Sequence, residues 1–268
     1  MDILRRSLAP IPDEGWKEID LQAERILKGN LSARKLVDFS GPHGWSCASV
    51  NLGSLKVPGG EPIKGVTWGL RESQALVEVR VPFALKLWEL DNTARGAKAP
   101  ELNALIAAAR KVALLEERAA YLGFADGGIK GMLEVSTHKA VALGADPADM
   151  IESVEGAILA IEKSGIGGPY ALVLGTEPYR KMMVGEPKTY PVRKQIAALA
   201  TGGVHWSPAL EGGAVLSRRG GDLEMTVGVD LSIGYRGHDK ESVELYFTES
   251  FTFRVLEAAA AVELKAKG

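Results

Sequence analysis

Four histidines, one cysteine and several adjacent carboxylates are the residues that could carry chemistry in this 268-residue chain. His43, His138, His205 and His238 are scattered, with no His-Glu-x-x-His, no Glu-x-x-His and no Cys/His spacing of the kind that closes a metal site. Ser46 and Cys47, in "GWSCAS", have no base close in sequence, and no Gly-x-Ser-x-Gly elbow occurs, so the segment reads as turn or core, not as a nucleophile. Glu116 and Glu117 are neighbours, about 100° apart around a helix, and cannot face one substrate as a carboxylate pair. "GIGGPYALVLG" is glycine-rich, yet its glycines precede a strand instead of leading from one into a helix, which implies a helix cap and turn and excludes a phosphate loop. The sequence therefore gives an enzyme reading no anchor: no catalytic residue, no metal ligand and no cofactor of the chain itself is expected.

The elements that would position a site are clearer. In "ALVEVRVPFALKLWELDN" apolar residues fall at Val77, Val79, Val81, Phe83, Leu85 and Leu87, with Glu78, Arg80 and Lys86 between them, a period of two that predicts a strand with one apolar face. From Ala75 to Leu87 it would reach about 40 Å at roughly 3.3 Å per residue, longer than an ordinary strand. The punctuated segment from Val50 to Leu70 could pair with it as an extended hairpin. A helix from Asp13 (as N-cap) to about Lys28 puts Trp16, Ile19, Ala23, Ile26 and Leu27 on one face, and a longer one from Pro100 to Leu122 carries a stripe from Leu102 to Ala119. Beyond "GGIKGML" the texture becomes α/β. Helices are expected at Pro147 to about Lys163 and Pro191 to about Ala200, with strands at Tyr170–Leu174, around Val204 and Val215, and at Leu223–Val229. A last strand aligns Val243, Leu245, Phe247, Phe251, Phe253 and Val255.

Composition narrows the classes further. With 46% hydrophobic and 25% charged residues the chain can bury a real core. Its 32 basic and 34 acidic residues form no block of one sign, which removes the electrostatic reason to expect a nucleic acid or an anionic membrane as partner. Neither a signal peptide nor a membrane-spanning run is read from the sequence, and one cysteine allows no intrachain disulfide, so a cytoplasmic protein is the expectation.

The strings "LRRSLAPI", "GPHGW", "LWELDNTARG", "GIKGML", "GIGGPYALVLGTEPY", "SRRGGDLEMTVGVDLSIGY" and "TESFTFRV" together, in this order, resemble the encapsulin nanocompartment shell proteins of family 1, which also carry a linocin or bacteriocin-type label. The resemblance spans nearly the whole chain. It implies an α+β fold of the HK97 phage-capsid type, a non-enzymatic subunit, and self-assembly into an icosahedral cytoplasmic compartment, T=1 by the compact length. Such a shell encloses a cargo enzyme, a ferritin-like iron-storage protein or a dye-decolourising-type haem peroxidase. Any iron or haem belongs to the cargo and no cofactor to the shell, with no nucleic acid or membrane as partner. A prophage-derived capsid protein is the alternative, with a secreted bacteriocin or hydrolase behind it.

By the same resemblance, residues 1–49 would open the peripheral domain, 50–90 form the E-loop arm, 91–130 hold the spine helix, 131–221 form the axial domain and 222–268 return to the periphery. Val79, Val81, Phe83, Leu85, Leu87 and Trp88 would be the arm's assembly face. Ile26, Leu27, Leu31, Arg34, Asp38, Leu231, Ile233 and Tyr235 would bind the cargo's C-terminal peptide on the inner face, although Arg34 and Asp38 also fit a solvated i,i+4 pair and the aliphatics also fit ordinary core. Gly185, Glu186, Lys188, Thr189 and Tyr190 would line a fivefold pore, where a ring of charge selects small ions.

Overall fold

The computed structural model describes residues 3–184 and 192–266. Helix α1 (Asp13–Asn30) buries Ile19 and Ala23. Its N-cap is Pro12 and not Asp13; Asp13 and Glu14 occupy the first turn, where the helix dipole favours carboxylates. A 3-10 turn at Ala33–Lys35 leads into β1 (Asp38–Ser40). Next, β2 (Ser49–Lys56) and β3 (Leu70–Ala75) pair only with each other, as an antiparallel ribbon with Ser49 opposite Ala75 and Lys56 opposite Leu70.

The expected long strand is divided at Leu76, whose amide donates to the Ala48 carbonyl at 3.0 Å. Beyond it, β4 (Val77–Lys86) pairs with β10 (Ser242–Val255), placing Val81 opposite Phe247 and Phe83 opposite Leu245, and not with the segment before it. Its alternation is real, but its own subunit covers the apolar face: Phe83 is 8% exposed and Leu85 3%. They share a core with Ile19 of α1, with Val112 of α3 (Asn103–Tyr121) and with Phe247, against which Val79, Val81 and Leu87 also pack. The assignment of Val79, Val81, Phe83, Leu85 and Leu87 to an assembly face is therefore corrected. Leu87, the expected end of the strand, instead opens a helix, α2 (Leu87–Ala94), on which Trp88 is exposed. The spine helix starts at Asn103, after Leu102 as N-cap and not at Pro100, and ends before Gly123, whose φ of +93° is the left-handed stop that favours glycine.

Two further sheets complete the chain. The first runs β1–β9–β10–β4, with β9 (Leu223–His238) antiparallel to β10 and parallel to β1. The second is β5 (Val141–Leu143), β11 (Ala261–Ala266), β8 (Gly213–Ser217), β6 (Tyr170–Leu174) and β7 (Gly203–Trp206), in that order. Helix α4 (Pro147–Lys163) packs on β11, β5 and β8, and on α6 (Val192–Leu199). Helix α5 (Thr176–Val184) packs on β6 and α6. Val154, Ile161, Leu172, Ile196 and Val262 fill this half. The expected α4 and β6 coincide with the observed ones, and Gly165, at φ +77°, ends α4 as the glycine-rich stretch implied. The expected pore residues Gly185, Glu186, Lys188, Thr189 and Tyr190 lie outside the described residues. Among the described residues no helix is long and apolar enough to cross a membrane.

Candidate functional site

Strand β10 alternates apolar residues inward, and one inward position is a carboxylate. Val243, Leu245 and Phe247 enter the core with α1 and α3, while Phe251 and Phe253 enter the core around Tyr121 and Met132. Glu249 stands between the two, fully buried, at a break in the pairing with β9, whose register shifts between Thr248 and Ser250. Its partner is Arg34, in the turn after α1. The Arg34 guanidinium donates to Glu249 at 2.7 Å and to Asp230 of β9 at 2.9 Å, and its Nε donates to Glu116 of α3 at 2.9 Å. Glu116 is also fully buried, so one cation faces two buried carboxylates and one half-exposed one.

Electrostatics follow from that imbalance. Burial pushes the Glu249 carboxyl well above the ordinary glutamate value, the charge of Glu116 pushes it further, and Arg34 only partly opposes them. Burial would lower the Arg34 guanidinium, but the hydrogen bond and charge of Glu116 and the charge of Glu249 outweigh it and hold it above its usual range. The adjacent Glu117 fixes the same turn. It accepts the amides of Ser32 and Ala33 at 2.7 Å each and the Ser207 hydroxyl at 2.6 Å. Burial raises its carboxyl while the hydrogen bonds from Ser207 and Ser32 pull it back.

Above this cluster a cavity of about 520 Å³ opens between α1, the N-terminal segment and β9. Its apolar wall is Ala23, Leu27 and Leu31 from α1 and the residue after it, Leu231 and Ile233 from β9, and Phe247. Arg34 and Asp230 line it as well, with Asp20, Glu24, Lys28 and Lys35. Arg6, stacked at 4.0 Å over Trp16 and paired with Asp20 at 2.7 Å, holds the N-terminal segment along the rim.

Of the eight residues expected to bind a peptide, Leu27, Leu31, Arg34, Leu231 and Ile233 meet in this cavity. Ile26, Asp38 and Tyr235 do not line it. Ile26 packs into the α1–α3 core, and Asp38 turns away to accept the Gly221 amide at 2.6 Å. Tyr235 donates its amide to the Leu4 carbonyl at 2.8 Å and bonds His238 through its hydroxyl. Arg34 and Asp38 are not the solvated pair their spacing allowed. Glu116, Glu117, Asp230 and Glu249 were not foreseen as site-forming, although a signal existed: Glu116 and Glu117 continue the buried stripe of Val112 and Ala113, and Glu249 keeps the odd phase of β10. Among the described residues no group of three or more His, Cys, Asp or Glu side chains is placed to hold a metal ion.

A family model described as "Encapsulating protein for peroxidase" matches residues 1–252. A type 1 encapsulin shell protein of Rhodospirillum rubrum is 45% identical over 271 residues, covering 99% of this chain and 97% of its own. The chain belongs to the encapsulin shell-protein family. A second encapsulin shell protein, from Mycolicibacterium paratuberculosis, is 39% identical over 98% of this chain and 99% of that one. Solved structures supply the fold. A virus-like particle from Pyrococcus furiosus aligns with TM-score 0.67 at 14% identity, covering 93% of this chain and 99% of that one. The capsid protein of the myophage XM1 aligns with TM-score 0.54 at 15% identity over 90% of this chain and 91% of that one. The architecture is the HK97-type capsid fold, and the encapsulin chain is a structural shell subunit and not an enzyme.

Proposed function

We propose that this encapsulin subunit closes into an icosahedral compartment and holds a cargo enzyme by docking the cargo's C-terminal peptide in the cavity between α1 and β9. The observation that carries the reading is the cavity itself, which combines an aliphatic wall with a guanidinium held by three carboxylates. Apolar peptide side chains would bury against Leu27 and Leu231, while Arg34 and Asp230 would orient polar groups of the peptide backbone. The description of the matched family names a peroxidase as the enclosed protein, which supports a haem peroxidase over a ferritin-like iron store as cargo.

Leu31 and Ile233 also belong to the subunit core, so the partly buried Leu27 and Leu231 are the positions to test. Each aliphatic fully buried by a ligand is worth roughly 1.5–3 kcal/mol, or about tenfold or more in affinity. Leu27→Ala/Leu231→Ala shells coexpressed with a reporter fused to the cargo's C-terminal tail should close normally and retain at least tenfold less reporter per shell. Wild-type loading would move the docking site elsewhere. Loss of the haem Soret band from shells carrying the double substitution, purified with the native cargo, would identify that cargo as the peroxidase.

A further inference from the structure

A second cleft, about 700 Å³, lies where the end of α1 and the Ala33–Lys35 turn meet α5 and β7. Lys28, Lys35, Arg180 and His205 line it together with Tyr179 and Trp206, and no carboxylate does among the described residues. Two of its cations have local counter-charges: Lys28 pairs with Glu24, and Arg180 with Glu177 at 2.8 Å. Lys35 does not. Its ammonium donates to the Lys28 carbonyl at 2.7 Å. Arg218, which stands outside the cleft lining, donates to the carbonyls of Gly202 at 2.8 Å and Lys35 at 2.9 Å. Neither cation makes an ion pair with a carboxylate among the described residues.

We propose that this cleft binds a small phosphoryl oxyanion, held by Lys35 and Lys28 against the wall of Trp206 and Tyr179. Lys35, which no carboxylate neutralises, shares the concave surface with Lys28 and Arg180, whose ion pairs are exposed and only weakly offset their charge, so the cleft focuses a positive potential that an entering anion relieves. A phosphoryl group suits the site better than a single carboxylate, because it spreads its charge over several oxygens that separate ammonium groups can share. The wall is held in place, since the Trp206 indole N–H donates to the Thr176 hydroxyl at 3.1 Å. His205 reports on the same field. Burial first, then the charges of Lys35 and Arg218, keep its imidazole below the usual histidine value, against a hydrogen bond to the Gly202 backbone. An anion in the cleft cancels part of that field, so binding should be accompanied by proton uptake at His205.

The test is calorimetric titration of assembled shells with pyrophosphate, ADP and adenosine near pH 6, in two buffers of different ionisation enthalpy. Saturable pyrophosphate binding is expected, weakened about tenfold or more by Lys35→Glu; because the ligand itself sheds protons when it binds cations near this pH, the uptake at His205 is read as the difference in proton exchange between wild type and His205→Gln. His205→Gln should retain binding and lose the proton uptake. Should Lys35→Glu fail to form shells, Lys28→Gln/Arg180→Gln carries the same expectation. ADP binding as tightly as pyrophosphate, or more tightly, supports recognition through the phosphoryl group, with any gain assigned to the ring on Trp206. Absence of saturable binding by wild-type shells, unchanged affinity in the charge variants, or adenosine binding as well as ADP would overturn the proposal.

Discussion

Glu249 can sit between phenylalanines because Arg34 reaches it from another element, and Arg34 can be buried there because three carboxylates receive its donors. Removing the cation leaves the Glu116–Glu249 pair buried with no counter-charge, and breaking buried pairs in this way costs about 3–5 kcal/mol. Arg34→Ala should therefore lower the melting temperature sharply and impair folding. Glu249→Gln should behave differently. Its folded carboxyl is raised, so the native state binds more protons than the unfolded one at pH above the ordinary glutamate value. Stability is complete below that value and falls as pH rises towards the folded one. Glutamine does not titrate, so the melting temperature of Glu249→Gln relative to wild type should climb between pH 5 and pH 8 in thermal scans. A constant difference across that window would show that Glu249 is ionised in the native protein.

At the scale of elements, legibility followed burial within one chain. Helix α4 is readable from its periodic apolar face and strand β6 from an unbroken apolar run that is buried throughout, and both end at clear stops. Strand β4 was equally readable as a strand and misassigned as an arm, because alternation reports that a face is covered without saying by which chain. The β2–β3 ribbon shows the converse. It lacks clean alternation, and its apolar residues lie open: Leu55 is 56% exposed, Val57 65%, Ile63 70% and Leu70 55%. A run of exposed large apolar side chains on one projecting ribbon is the mark of a surface that another chain covers. The ribbon, and not β4, is therefore the surface to test. Val57→Asp/Ile63→Asp should leave a folded subunit with wild-type circular dichroism that elutes as small species and forms no closed shells, whereas Phe83→Asp should fail to fold at all. Intact shells from the ribbon variant would put the subunit contacts elsewhere.

At the scale of the whole molecule, the family was legible in many short strings taken together, while the site was legible only in part. Leu27, Leu31, Leu231 and Ile233 come from opposite ends of the chain, and their convergence on one cavity follows from the antiparallel register of β9 on β10 beneath α1, which no local pattern encodes. The carboxylates around Arg34 were hidden for the same reason, since their pairing spans 82 to 215 residues of sequence. Charge, by contrast, is a whole-chain property that needs no contact map. Phage capsids share this fold and confine duplex DNA, which carries about one negative charge per 1.7 Å of its axis and is retained on protein by cationic groups that displace its counterions. Here 32 basic residues are outnumbered by 34 acidic ones and form no block of one sign, so a wall built from many copies carries no net positive charge with which to retain a polyanion. Shells purified from cells should show no nucleic-acid absorbance beyond that of protein and cargo. Nuclease treatment and a wash in 1 M salt should leave their sedimentation unchanged. Nuclease-protected nucleic acid that cosediments with salt-washed shells would sink this argument and return the chain to the genome-packaging branch of the fold.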